Sequence, residues 1–116
     1  MQQNNNDSPL GSQNDLMERQ SKAQAEIRKF FSVCLPESLG DKTEMNQKFM
    51  ATAKKFYPEL YSEVLEAKRI VEAAQDYQLH NIKLNVWVSQ SKKLIRLVTF
   101  RILSEYSQRG IRVIIE

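Results

Sequence analysis

Cys34 and His80 are the chain's one thiol and one imidazole, the side-chain types that together make a nucleophile and its general base. Nothing in the local sequence activates the Cys34 thiol, so the two read as unrelated residues of the fold. A zinc site built from several imidazoles is out of reach with one His, and one Cys does not supply the deficit. Gly11, Gly40 and Gly110 stand singly at linker or turn positions, so no glycine-rich loop is on offer to cradle a phosphate. Glu59, Glu63, Glu66 and Glu72 are spaced as a solvated helix face, with no apolar pocket around them to raise a pKa. The expectation is a protein that is not an enzyme, with no catalytic residue, no metal site and no cofactor.

Binding chemistry is better represented. Residues 79–116 carry seven Lys or Arg against Glu105 and Glu116, a balance of +5, while residues 1–78 carry ten against twelve acids, a balance of −2. Such asymmetry marks either a surface for a polyanion or a basic half on which the acidic helices of the same molecule dock. Lys83, Trp87, Lys92, Lys93, Arg96, Arg101 and Arg112 are the candidate nucleic-acid-binding residues. Cations follow phosphates, and an aromatic ring stacks on a base. For Trp87 the competing reading is packing beneath the N-terminal helices. Leu97 and Phe100 lie among these cations and are poor choices for a face in water, so that side meets the N-terminal helices or another molecule.

The elements that position these residues fit a single domain. The chain has 116 residues, and 41% hydrophobic with 27% charged content is ordinary for a globular protein. No apolar run approaches the roughly 20 residues a membrane span needs. The opening residues lack the basic and apolar regions of a secretory signal, and a single cysteine excludes an internal disulfide, so a nuclear or cytoplasmic protein is expected. Residues 1–13, rich in Gln, Asn and Ser, are expected to be a disordered tail. Residues 14–116 then form one domain with a helical part, 14–78, and a basic part, 79–116.

In the helical part, Leu16, Ala23, Ile27, Phe30 and Phe31 recur at helical spacing up to the stop at Leu35-Pro36. Asp41 and Glu44 form a capping-box pattern for a second helix running to about Phe56, with Met45, Phe49, Ala53 and Phe56 on one face. Pro58 suits the first turn of a third helix, whose stripe is Leu60, Val64, Ala67, Val71 and Ala74. In the basic part, Ile82, Leu84, Val86 and Val88 alternate with Lys83, Asn85 and Trp87, which predicts a strand. A helix with the apolar face Leu94, Ile95, Val98, Ile102 and Tyr106 follows as far as Gly110, and Ile111, Val113 and Ile115 predict a second strand. The expected fold class is α+β: about three N-terminal helices packed on a strand–helix–strand crossover. Two strands do not make a stable sheet, which leaves open a further strand, blunted sheet edges or strand pairing with a second chain.

Two short patterns resemble known families. Gln24, Ile27, Phe30 and Phe31 fill all four positions of the clamp-binding peptide (the PIP box) by which replication and repair proteins dock on the sliding clamp PCNA. The resemblance covers eight residues. It implies an aliphatic and aromatic plug on one helical turn, with the Gln in a polar pocket beside it, and the spacing equally suits a core helix. Separately, the first predicted strand, Ser89-Gln90-Ser91-Lys92-Lys93, and the helix and strand after it distantly resemble the opening of Alba-type nucleic-acid-binding domains. That family continues through a second helix and two more strands, and the helical N-terminal half has no counterpart there.

The function expected is a non-catalytic accessory or adaptor protein. It would be associated with nucleic acid through its basic half, and dock on a sliding clamp through Gln24, Ile27, Phe30 and Phe31. The alternative is a structural or regulatory subunit, a homo-oligomer or part of a larger complex, completed by strand or helix pairing with a protein partner.

Overall fold

The computed structural model describes residues 13–35, 40–108 and 110. Helix accounts for 91% of them, in four segments, and no described residue is in a strand: the fold is all-α, not α+β. Of the N-terminal tail expected at residues 1–13, only Gln13 is described, as the first residue of a helix.

The first helix, α1, is Gln13–Cys34. The second, α2, is Lys42–Phe56, and Asp41 caps it by accepting a hydrogen bond from the Glu44 N–H at 3.4 Å. Only Tyr57 separates it from α3, Pro58–Ala73, with Pro58 in the first turn, where a missing N–H costs nothing. Asp76 then opens α4, Tyr77–Gln108. Its carboxylate accepts from the Leu79 N–H at 2.8 Å and its carbonyl from the His80 N–H at 2.9 Å. At 32 residues, α4 is about 48 Å long.

The strand expected at 82–88 and the helix expected after it are both parts of α4. The alternation spans only seven residues, 82–88, and so short an apolar run fits a helix segment as well as a strand. The burial pattern separates them: Leu84, Trp87, Ser91, Leu94, Ile95, Val98 and Ile102 are buried, while Ile82 is 58% exposed. Spacings of three and four put that set on one helical side. Val86 and Val88 escape the stripe because α4 has neighbours on more than one flank, and both pack, half-buried, against its second core cluster. The strand expected at 111–115 lies outside the described residues.

The other helices are arranged around α4, as their cross-contacts show. Arg19 of α1 bonds Asn81 and Glu26 pairs with Lys92, so α1 runs parallel to α4. Tyr57 meets Arg101 and Glu63 meets Gln90, so α3 runs antiparallel to it. The α2 helix covers the C-terminal half of α4, where Lys48 pairs with Glu105 at 2.8 Å. Two clusters hold the bundle. One joins Leu35, Phe49 and Ala53 to Leu94, Ile95, Val98 and Ile102. The other joins Ala23, Ala67 and Val71 to Leu84 and Trp87. Met45, Phe49 and Ala53 are the buried face of α2 as expected, but Phe56 is 42% exposed. The apolar face of α4 thus covers helices, not a sheet.

Candidate binding surfaces

The candidate nucleic-acid residues divide three ways around α4. Trp87 is 3% exposed and sits in the core among Ala23, Ala67, Val71 and Leu84, so in this fold it has no face for a base. Lys92 is held by Glu26 at 2.5 Å, and Lys83 lies close enough to Glu66 to help hold that carboxyl below its ordinary pKa, after the hydrogen bond from Arg69. Lys93, Arg96 and Arg101 are on the exposed side. Arg112 lies outside the described residues.

On that exposed side, cations and rings are interleaved. The Arg101 guanidinium lies 3.9 Å over the Phe56 ring and 5.6 Å over Tyr57, and its Nε–H reaches the Tyr57 hydroxyl at 3.4 Å. Lys55 also stands over the Phe56 ring, at 5.1 Å, and Arg96 over Phe30 at 5.7 Å. One turn beyond Arg96, Phe100 is 74% exposed. Leu97, half-buried, lines a shallow cleft with Phe56, Tyr57 and Lys93. The pair singled out by their apolar character thus splits: Leu97 meets the junction of α2 and α3, and Phe100 meets water. Lys54, Lys55 and Phe56 were missed as part of this surface. The legible signal was a lysine doublet running straight into the aromatic pair Phe56-Tyr57.

The clamp-like residues lie in the middle of α1. Phe31 packs edge to face on Phe49, with centroids 5.0 Å apart and an interplanar angle of 75°. Ile27 packs against both core clusters, and Phe30 is half-buried beneath Lys92 and Arg96. Gln24, Ile27 and Phe31 also line a cleft of about 410 Å³ between α1, α2 and α3, floored by α4. The cleft exists because α1 and α3 each lean on α4 and hardly touch one another.

Cys34 and His80 are at opposite ends of the bundle. Arg96, close enough to Cys34 to act on its charge, is sixteen residues along α4 from His80, a distance of about 24 Å. Burial pushes the Cys34 thiol up in pKa, against the pull of Arg96, which leaves it a poor nucleophile. His80 is 1% exposed, and neither ring nitrogen has a hydrogen-bond partner among the described residues. Among those residues no group of three or more His, Cys, Asp or Glu is placed to hold a metal ion, and no helix is long and apolar enough to cross a membrane.

Compared with protein families, curated proteins and solved structures, the chain matches no family model, no curated protein and no solved structure at a significant level.

Proposed function

We propose that this protein is a non-catalytic accessory factor that binds single-stranded nucleic acid on the outer side of α4 and the adjoining end of α2. The observation that carries the reading is Phe100, a ring 74% exposed with Arg96 and Arg101 beside it on the same helix. A free ring gives a base a stacking platform, and guanidinium groups at its sides take the phosphates. Charge supports the same surface. The α2 helix has four lysines against Glu44, a balance of +3, and α4 five Lys or Arg against Glu105, a balance of +4. The α3 helix, with four glutamates against Lys68 and Arg69, balances at −2.

Fluorescence anisotropy with a labelled single strand of about 16 nucleotides tests the reading between about 50 and 200 mM salt. Removing one stacked ring costs about 1–3 kcal/mol, so Phe100→Ala weakens binding roughly tenfold. Arg96→Ala and Arg101→Ala each take about 0.7 off the slope of log affinity against log salt. Absence of binding at the lower salt, or unchanged affinity in Phe100→Ala, ends the proposal.

A second reading, a subunit completed by helix pairing with a protein, has its own observation. Leu79 and Ile82, one turn apart on α4, are 42% and 58% exposed. Sedimentation at two protein concentrations tests it for a self-partner. A monomer at both, unaltered in Ile82→Ser, removes that form of it.

A further inference from the structure

The cleft between α1, α2 and α3 has a composition that selects its occupant. Its volume of about 410 Å³ is in the range of small-ligand sites, which run from about 300 to 1,000 Å³. The walls are mainly apolar, with Ile27, Phe31, Val64, Trp87 and Leu94 among them, and α4 closes the floor. Among the described residues, every charged one on the lining is a cation: Arg28 from α1, Lys42 from α2 and Lys68 from α3. Arg28 and Lys42 have no ion-pair partner among the described residues, and the Lys68 ammonium has only Glu72, at 3.9 Å, in its own helix. An apolar slot whose charged lining residues are cations from three different helices is complementary to an alkyl chain ending in a negative charge.

We infer that the cleft binds a long-chain carboxylate as a free monomer. The alkyl chain lies against the half-buried Ile27, Phe31 and Val64, with the nearly covered Trp87 ring behind them, and the carboxylate is met by Arg28, Lys42 and Lys68. The cleft includes none of Phe56, Arg96, Phe100 and Arg101, so either proposal stands or falls without the other.

Trp87 is the only tryptophan and one wall of the cleft, so its fluorescence reports occupancy directly. The experiment titrates the full chain with dodecanoate below its aggregation threshold, reading Trp87 emission and the melting temperature together. Dodecyltrimethylammonium is the control, with the same chain and the opposite charge. The expected result is saturable one-to-one binding of dodecanoate with a raised melting temperature, and no saturable binding of the cation. Each methylene removed from the chain weakens binding about fourfold. The double variant R28E with K42E alters two exposed residues, so it folds. It should bind dodecanoate at least about tenfold more weakly, as loss of charge-assisted contacts requires.

Equal binding of the two amphiphiles overturns the inference, as does unchanged affinity in the double variant. Loss of the helical circular-dichroism signal without saturation is detergent denaturation and counts against it equally. No response to any alkyl anion, together with a concentration-dependent dimer mass lost in the double variant, assigns the cleft to a second copy of the chain instead.

Discussion

Phe31 of α1 and Phe49 of α2 meet edge to face at 5.0 Å, one of few contacts between two helices that otherwise meet mainly through α4. Edge-to-face pairs add about 0.5–1.5 kcal/mol beyond the area they bury, and truncating a buried Phe costs about 3–5 kcal/mol. Phe31 is half-buried, so Phe31→Ala should cost about 2–4 kcal/mol in denaturant unfolding. Phe30, capped by two cations at the edge of the cluster, should cost about 1 kcal/mol. The same pair bears on clamp docking. A clamp that takes Ile27, Phe30 and Phe31 as a plug must first pull Phe31 off Phe49, so clamp added in excess should lower helical content. Clamp binding with the fold intact, lost in the stable Phe30→Ala variant, would show that α1 docks from its outer edge.

His80 gives the protein an acid-sensitive corner. Burial chiefly, and the Arg19 cation next, hold its pKa below the ordinary 6.5, with Asp15 pulling the other way. The folded chain therefore holds fewer protons on His80 than the unfolded chain once the pH falls below about 6.5. The stability contributed by the neutral ring is complete above that pH. It declines as the pH drops and levels off below the folded-state pKa. Melting temperatures from about pH 7.5 to about pH 5 should fall more steeply for the parent than for His80→Gln. Parallel curves would show that His80 does not titrate differently in the fold.

Asp76 caps α4 through the Leu79 N–H at 2.8 Å. An Ncap Asp replaced by Ala typically costs about 1 kcal/mol. Asp76→Ala should lose that amount in chemical denaturation, and Asp76→Asn, which keeps the capping oxygen, only a small part of it. An equal loss in both variants would mean that the charge, acting on the helix dipole, outweighs the hydrogen bond.

How far the sequence led depended on how many flanks each helix buries. The α2 and α3 helices each pack one stripe, so the Asp41 cap, Pro58 and the spacing of Met45, Phe49 and Ala53 were legible. Phe56 continued that spacing as the last residue of α2 and still lies exposed, with the Arg101 guanidinium over its ring. The α4 helix is contacted by three helices, so its apolar residues spread beyond one stripe and the β-branched run Ile82, Val86 and Val88 imitates a strand. Asp76, three residues before Leu79, was the available sign of a helix start. The basic side of α4 was legible as charge. Its division into Lys92, paired with Glu26, and Arg101, stacked on Phe56, depends on neighbours distant in sequence.

The single-helix reading of residues 77–108 makes a prediction that a strand would not. In a strand, Ile82 and Leu84 share a face, and polar substitutions at either cost alike. In α4 they point about 160° apart: Ile82 is 58% exposed, and Leu84 is 9% exposed beside Trp87. Ile82→Ser should therefore change stability by about 0.5 kcal/mol or less. Leu84→Ala should cost about 2–5 kcal/mol, and blue-shifted emission from Trp87 should move toward the red as its pocket loosens. The pair of unfolding curves decides the matter without reference to any ligand. Equal losses at 82 and 84 would restore the strand, and a large loss at 84 alone fixes the helix.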